Sequence, residues 1–141
     1  MNLILVGYRG TGKSTVARLL ATWLGLKNVS TDAMIIEKAK FPIPDIVAKF
    51  GWDHFRDLET LACQELQGLD NLVIDTGGGI ILRNANIQSL KPSGVICWLT
   101  ANVETISRRI ANDDQRPALT SGKDFIEEIK PEEIWVLPKG N

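Results

Sequence analysis

The chain has 141 residues, the length of a single domain, and 44% of them are hydrophobic, which is enough to build a substantial core. Sixteen basic and seventeen acidic residues leave a net charge of −1. Since no basic block stands out, the composition argues against a nucleic-acid partner. No apolar run is long enough to span a bilayer, and the first one is too short for a signal peptide. We therefore expect a cytoplasmic protein with no membrane partner, and we expect it to be a monomer.

The cysteines and the single histidine do not predict a metal centre. Cys63 and Cys97 are far apart in sequence and lack the spacing of metal ligands, so we expect both to be buried free thiols. His54 has no clustered ligands around it, which favours a surface or boundary position over a catalytic role.

The amino-terminal segment has the order strand, glycine loop, helix. Residues 3–6 form a wholly apolar run, typical of a strand that is buried on both faces. Residues 14–24 carry apolar side chains at helical spacing, and Gly25 follows as a stop signal. Between them, residues 7–14 read Gly-Tyr-Arg-Gly-Thr-Gly-Lys-Ser and fit G-x-x-x-x-G-K-[ST], the phosphate-binding loop of ATP- and GTP-using enzymes.

This context favours a nucleotide site over a chance glycine-rich turn. Glycines let the backbone curl so that several N–H groups face one anion, and the positive end of the following helix adds to that field. Lys13 is predicted to reach the terminal phosphates, and Ser14 to hold Mg²⁺ through its hydroxyl. The predicted nucleotide-binding residues of the loop are Gly10, Thr11, Gly12, Lys13, Ser14 and Thr15.

The rest of the chain alternates between strand and helix patterns. Further strands are predicted at 27–31, 72–75 and 95–99, and helical segments at 33–40, 45–50, 53–67, 84–90 and 103–110. A polar loop follows at 111–122. This alternation predicts an α/β fold, a three-layer doubly wound parallel sheet with four clear strands and helices on both faces.

Chemistry-bearing residues follow three of the predicted strands. The glycine loop comes after the first strand, Asp32 after the second, and the triplet Gly77–Gly79 after the third. In open parallel sheets, ligands lie beyond the carboxyl ends of the strands. The shared position of these residues is independent support for a functional site at that edge.

Taken together, these motifs resemble the shikimate kinase family, a small member of the nucleoside-monophosphate-kinase branch of P-loop proteins. The resemblance runs from the start of the chain to about Pro117, and its motifs occur in the family's order and at close to its spacing. They are the loop at 7–15, Asp32, the run Phe55-Arg56-Asp57-Leu58-Glu59, the triplet Gly77-Gly78-Gly79, and Arg116-Pro117. The resemblance implies a P-loop NTPase fold and transfer of the ATP γ-phosphoryl group to the 3-hydroxyl of shikimate, with Mg²⁺.

The resemblance also implies a role for individual residues. Asp32 is implied to hold shikimate hydroxyls and to accept the proton of the attacking hydroxyl. Arg56 is implied to grip the substrate carboxylate, and Gly78, flanked by two further glycines, to donate its backbone N–H beside the substrate ring. Arg116 resembles the lid arginine that reaches the phosphates, and Arg109 the arginine that lies against adenine. The implied catalytic set is Lys13, Asp32 and Arg116.

Residue chemistry agrees with these roles, although simpler alternatives exist. A polyhydroxy acid needs a carboxylate acceptor for its hydroxyls and a forked cation for its carboxylate. Alternatively, Asp32 caps the helix that follows it, and Arg56 pairs with Asp53 or Glu59 on its own helix. The glycine triplet is then only a sharp turn, and Arg109 an ordinary helix-end cation.

The first departure from the family pattern concerns the metal. Family members usually carry two aspartates, one residue apart, after strand two: the first helps to hold Mg²⁺ through water and the second binds substrate. This chain reads Ser30-Thr31-Asp32, so the first, metal-binding aspartate is replaced by Ser30. The third strand instead ends in Asp75, where the family usually has a small or neutral residue. Other phosphate-loop enzymes place their Mg²⁺-directed carboxylate at the end of such a strand. We expect Asp75 to act on Mg²⁺ through water; the alternative is that it merely starts the glycine turn.

The second departure lies after Arg116, which is followed by 25 residues without an arginine. The family implies a further substrate-binding arginine and a fifth strand there, and Lys130 is a poor replacement because lysine lacks the guanidinium fork. We therefore expect the fifth strand to be missing or altered, with the edge of the fourth either exposed or covered by 134–137. The prediction is one domain over 1–141, with a substrate-binding helical segment at about 32–67, a lid at about 111–122 and an atypical tail at 123–141.

Three interpretations remain open. The first is a shikimate kinase, either intact in function or impaired because the chain is shortened or truncated. The second is a noncatalytic nucleotide-binding module, against which the retained Lys13, Asp32, Arg56 and Arg116 argue. The third is a related kinase for gluconate or a nucleoside monophosphate, which the combination of Arg56 with the glycine triplet disfavours. A GTPase is disfavoured because no Asn-Lys-x-Asp sequence is present.

Overall fold

The computed structural model describes residues 1–7, 12–100 and the short strand 134–136. Its centre is a five-stranded sheet in the order β2-β3-β1-β4-β5. The strands are β1 (Asn2–Val6), β2 (Lys27–Ser30), β3 (Leu72–Asp75), β4 (Gly94–Leu99) and β5 (Ile134–Val136). The first four pair in parallel, as the alternation of strand and helix patterns predicts.

Five α-helices occur in the described residues: α1 (Lys13–Leu24), α2 (Thr31–Ala39), α3 (Ile43–Phe50), α4 (Trp52–Leu66) and α5 (Asn84–Leu90). They match the predicted helical segments to within two residues. One boundary is corrected, because Thr31, predicted in the second strand, begins α2. The cause is local: the Ser30 side chain accepts a hydrogen bond from the N–H of Ala33 and so caps the helix one residue earlier. The helix predicted at 103–110 and the lid at 111–122 lie outside the described residues.

The core has a layer on each face of the sheet. Alternating residues of β1 point to opposite faces, so Leu5 packs with Ala17 of α1 whereas Ile4 packs with Cys63 of α4 and Leu90 of α5. The predicted three-layer α/β arrangement is confirmed. Helices α2 and α3 add a satellite cluster on α4, built around Ile35, Ile46, Phe55 and Ala62.

The fifth strand is present in an altered form. Strand β5 pairs antiparallel with β4, with Leu99 opposite Ile134 and Cys97 opposite Val136. The edge of β4 is therefore covered by residues 134–136, one of the two outcomes expected from the sequence. The sheet gains a fifth strand that runs antiparallel to the other four. A parallel partner needs a crossover connection, whereas an antiparallel partner can pair directly.

The cysteines are free, as predicted, but only Cys63 is fully buried, and Cys97 is half-buried. Burial raises the pKa of the Cys63 thiol to about 12, which makes it an inert core group. Within the described residues, no helix combines the length and apolar character that crossing a membrane requires.

Candidate active site

The described part of the phosphate loop has the backbone that the motif requires. Gly7 and Gly12 have φ values of 148° and 92°, conformations that side chains rarely adopt. Gly12 is also the N-cap of α1, which lacks a side-chain cap and has no acidic residue in its first turn. Among the described residues, no side chain caps the first N–H groups of α1, so this end of the helix can serve an anion. Gly10 and Thr11 lie outside the described residues, and their roles stay predictions.

The side chain of Lys13 turns back toward Gly7, at the end of β1. It is 8% exposed, and its Nζ donates a hydrogen bond to the carbonyl oxygen of Gly7 across 2.5 Å. Burial lowers the pKa of Lys13, and the neighbouring carboxylates of Asp75 and Asp32 oppose that change. A buried ammonium between a phosphate loop and two carboxylates has the charge and reach expected of a phosphate-binding lysine.

Ser14 and Asp75 meet at the carboxyl end of β3. The hydroxyl of Ser14 donates to Oδ2 of Asp75 at 2.7 Å. Ser14 is exposed, whereas Asp75 is only 9% exposed, so the hydroxyl stands between a buried carboxylate and solvent. Thr15 is half-buried in the same turn of α1.

Asp32 lies in the first turn of α2, but it does not cap the helix, since Ser30 does. Its Oδ1 atom is buried and accepts no hydrogen bond from the part of the chain that the structure describes. Burial raises the pKa of Asp32, and the charge of Asp75 raises it further, while Lys13 and Arg56 lower it. Asp32 is therefore within electrostatic reach of both Lys13 of the phosphate loop and Arg56 of α4.

Arg56 is held from three sides. Its Nη1 donates to Oε1 of Glu59 at 2.6 Å, and its guanidinium carbon lies 5.1 Å from the ring centroid of Trp52 and 5.4 Å from that of Phe55. The pairing with Glu59 foreseen as an alternative does occur, but it is not a surface pair: the Arg56 side chain is 21% exposed and that of Glu59 is 1% exposed. Pairing and a ligand role are compatible, because a guanidinium has five donors.

Glu59 was expected from the sequence only as an alternative partner of Arg56, but its burial beside Asp32 and Gly77 makes it part of the site. Burial raises its pKa, and Arg56 lowers it. Its Oε2 atom accepts no hydrogen bond within the described residues, as is also true of Asp32 Oδ1. The available sequence signal was the spacing of three residues from Arg56, which places both on one helix face. Spacing alone does not show that this face is buried.

The glycine triplet lies against these charged groups. A Cβ atom on Gly77 would lie 2.7 Å from Oδ1 of Asp32 and 3.0 Å from Oε2 of Glu59, and one on Gly79 would overlap the guanidinium of Arg56. Gly78 lies between them in the same turn. A side chain at Gly77 or Gly79 would therefore crowd the charged groups of the site, a reason for glycine that a sharp turn alone does not supply.

Two threonines fix this turn, and neither was singled out from the sequence. The N–H and the hydroxyl of Thr76 both donate to the carbonyl oxygen of Leu5, at 3.2 and 2.7 Å. Thr31 accepts a hydrogen bond from the N–H of Gly77 at 3.0 Å, which ties the start of α2 to the turn. The available sequence signal was their position: Thr31 directly precedes Asp32, and Thr76 directly precedes the triplet.

The structure thus brings the described site residues together at the carboxyl ends of the strands. They are Lys13, Ser14, Asp32, Arg56, Asp75 and the glycine triplet. Arg109 and Arg116 lie outside the described residues. His54 is exposed on α4, with its ring 4.8 Å from that of Phe50.

The donor set near Ser14 fits a magnesium ion that is held mainly by a nucleotide. No group of three or more His, Cys, Asp and Glu side chains that could hold a metal occurs in the described ranges. Mg²⁺ usually keeps several waters and binds through one or two protein oxygens plus substrate phosphates. One exposed hydroxyl beside one buried carboxylate, at the mouth of a phosphate loop, meets that description.

Comparison with known proteins identifies the family. The sequence model of the shikimate kinase family, described as "Shikimate kinase", matches residues 9–134. This chain belongs to the shikimate kinase family. The predicted family and the predicted fold are thereby confirmed.

Individual relatives agree with that assignment. The shikimate kinase of Geobacter sulfurreducens is 42% identical over 120 residues, which cover 85% of this chain and 66% of the relative. That of Pelotomaculum thermopropionicum is 43% identical over 129 residues, which cover 92% of this chain and 74% of the relative. That of Persephonella marina is 39% identical over 128 residues, with 91% and 78% coverage. The chain thus spans from 66% to 78% of the length of these family members.

Solved structures point the same way. The shikimate kinase of Acinetobacter baumannii, solved in complex with shikimate, superposes with a TM-score of 0.76 and 35% identity, covering 91% of this chain and 73% of that one. The shikimate kinase of Aquifex aeolicus gives 0.73 and 29%, covering 94% and 79%. A gluconokinase from Sinorhizobium meliloti gives 0.56 at 16% identity, which shows a shared fold alone.

Proposed function

We propose that this chain transfers the γ-phosphoryl group of ATP to the 3-hydroxyl of shikimate. The observation that carries the proposal is the position of Asp32, whose charge is felt by Lys13 of the phosphate loop on one side and by Arg56 on the other. A carboxylate in that position can hold a substrate hydroxyl next to bound phosphates while the substrate's own carboxylate faces a guanidinium. Oδ1 of Asp32, which accepts no hydrogen bond from the described residues, is an acceptor that a substrate hydroxyl would satisfy.

On the nucleotide side, the chain's contribution is positive charge and fixed donors. The backbone N–H groups of Gly10, Thr11 and Gly12 and the first turn of α1, including Thr15, surround the phosphates, and Lys13 reaches the terminal ones. Ser14 holds Mg²⁺ through its hydroxyl. When bound, Mg²⁺ neutralises charge that develops on the phosphates.

On the acceptor side, Asp32 orients the attacking hydroxyl and takes its proton. Burial supports this role, because a raised carboxylate pKa brings the base closer to the operating pH. Arg56, held by Glu59, binds the substrate carboxylate with donors that Glu59 does not use. Gly77, Gly78 and Gly79 let the substrate ring approach the backbone, where an N–H donor is available.

Two arginines complete the proposal from the segment that follows β4. Arg116 reaches the phosphates when the predicted lid closes, and Arg109 lies against adenine. We further propose that the protein acts as a cytoplasmic monomer with no nucleic-acid or membrane partner.

The test is ADP release from Mg-ATP by the purified chain, with and without shikimate. We expect shikimate-dependent release that Lys13→Met and Asp32→Asn each abolish, whereas Glu65→Gln, on an exposed surface pair of α4, leaves it unchanged. If a folded protein that binds ATP releases no ADP in response to shikimate, the kinase assignment fails and a noncatalytic nucleotide-binding module is the better description.

A further inference from the structure

Asp75 has a contact that a turn-starting residue would not need. Its Oδ2 accepts the hydroxyl hydrogen bond of Ser14 at 2.7 Å, although 61 positions separate the two residues. The start of the glycine turn is fixed instead by Thr76, which donates twice to Leu5. The Asp75 side chain therefore points from the end of β3 toward Ser14, at the start of α1.

Asp75 and Ser30 are neighbours in the sheet. They are the last residues of β3 and β2, and the parallel register places them opposite each other. Their side chains nevertheless serve different partners. Ser30 caps α2 through the N–H of Ala33 at 3.2 Å, whereas Asp75 contacts Ser14. Ser30 thus fixes the start of the helix that carries Asp32, whereas Asp75 supplies a negative charge beside Ser14.

We propose that Asp75 is the carboxylate that orients the water shell of the Mg²⁺ held by Ser14, and that Ser30 has no part in binding the metal. This inference rests on the proposed nucleotide site but not on the identity of the phosphoryl acceptor. In P-loop enzymes, the metal is held by the loop serine or threonine and by an aspartate that follows an apolar strand. The buried position of Asp75 and its direct hydrogen bond to Ser14 match that pair.

The charge around Asp75 supports the same role. Lys13 and Arg18 are the cations near its carboxylate, and Asp32 is a second acidic group within electrostatic reach. Lys13 is buried beside these two carboxylates, whereas Arg18 is exposed to solvent, which screens its charge, so Lys13 offsets only part of the negative charge at the mouth of the loop. A divalent cation offsets that charge, and the chain's own groups then have to orient its waters.

The experiment measures metal binding without turnover. Mn²⁺ is titrated into the protein saturated with ADP, without shikimate, and the free ion is followed by electron paramagnetic resonance. We expect Asp75→Asn to weaken Mn²⁺ binding by roughly 10- to 100-fold, the usual cost of losing a group that orients a metal's ligands. Asparagine can still accept the Ser14 hydrogen bond, so the loss reports charge rather than the position of Ser14. ADP affinity in EDTA should change less than twofold.

Two further variants make the result specific. Ser30→Ala removes the helix cap but should leave Mn²⁺ affinity within about twofold of the wild type. Ser30→Asp in the Asp75→Asn background should recover most of the lost affinity, because the two positions are opposite each other in the register. Asp75→Ser serves as a second uncharged variant if Asp75→Asn does not fold.

Each outcome is decisive. Unchanged Mn²⁺ affinity in a folded Asp75 variant, or equal effects of the Asp75 and Ser30 substitutions, would overturn the inference, as would the absence of any cation–ADP binding by the wild type. Loss of affinity in a folded Asp75 variant supports the inference, and recovery by Ser30→Asp would add that a carboxylate at the neighbouring position can replace the lost charge. If Mn²⁺ binding follows the prediction but shikimate is not phosphorylated, the proposed function fails while this inference stands.

Discussion

Glu59 holds Arg56 in an ion pair of 2.6 Å, and its second oxygen, Oε2, lies beside Gly77 and accepts no hydrogen bond from the residues that the structure describes. Burying a carboxylate is costly because it loses its hydration, and within the described residues only Oε1 of Glu59 has a hydrogen-bond partner. The arrangement is explained if the pair serves to fix the guanidinium rather than to stabilise the fold.

The first prediction concerns that pair. Glu59→Gln should lower kcat/KM for shikimate by roughly 10- to 100-fold, mainly through a higher KM, because a weaker bond lets Arg56 leave its position. The KM for ATP should change little, since Lys13 and the loop are untouched. Steady-state kinetics with each substrate varied in turn measures both effects. Glu65→Gln is the matched control, the same substitution on an exposed pair of the same helix; an equal rise in both KM values would contradict the prediction.

The second prediction concerns pH. Burial raises the pKa of Glu59 above its ordinary value of 4.5, so the folded ligand-free protein holds this proton more tightly than the unfolded chain. Its contribution to the free energy of unfolding is therefore most favourable below pH 4.5 and falls as the pH rises through the raised pKa. Urea unfolding of wild type and Glu59→Gln across this range should show the wild type losing stability relative to the variant. A stability difference that does not change with pH would refute this.

The third prediction concerns the glycine triplet. Gly77→Ala should cost about 1–3 kcal/mol of stability, because its Cβ enters the space of Asp32 and Glu59. The Cβ of Gly79→Ala would meet the guanidinium at the end of the long Arg56 side chain, so displacing it should raise the KM for shikimate with a smaller loss of stability. Chemical denaturation and kinetics together separate the two cases.

A control for the glycine series is Gly68→Ala. Its Cβ would meet open space, but its φ of +86° is unfavourable for alanine. It should lower stability by roughly 1 kcal/mol without changing the KM for shikimate. If Gly79→Ala behaves like Gly68→Ala, the glycine is needed for the turn alone.

The fourth prediction concerns the sheet edge. Removing residues 134–141 takes away β5 and leaves one side of β4 without a pairing partner. We expect a loss of roughly 1–3 kcal/mol in the free energy of unfolding and concentration-dependent association, because an unpaired apolar strand is a template for pairing between chains. Removing only 138–141 keeps β5 and should do neither. Light scattering and thermal unfolding distinguish the two truncations, and identical behaviour would show that β5 does not protect the edge.

The sequence by itself determined the features that depend on neighbours in the chain. The glycine loop before α1, the boundaries of β3 and α5, and the placement of Asp32 at a strand end follow from short patterns, because backbone conformation responds first to local side chains. The motifs were also sufficient to name the family. Even Asp75 was marked as unusual from the sequence, since it is a charge at the end of an apolar strand.

Only the tertiary structure decided which side chains meet. The Ser14–Asp75 hydrogen bond, the register of Ser30 with Asp75 and the contact of Gly79 with Arg56 join residues that lie far apart in the chain. The burial of Glu59 is of the same kind, because spacing on a helix shows which residues share a face but not what covers that face. These relations depend on how helices pack on the sheet, and packing is set by the whole core rather than by any local pattern.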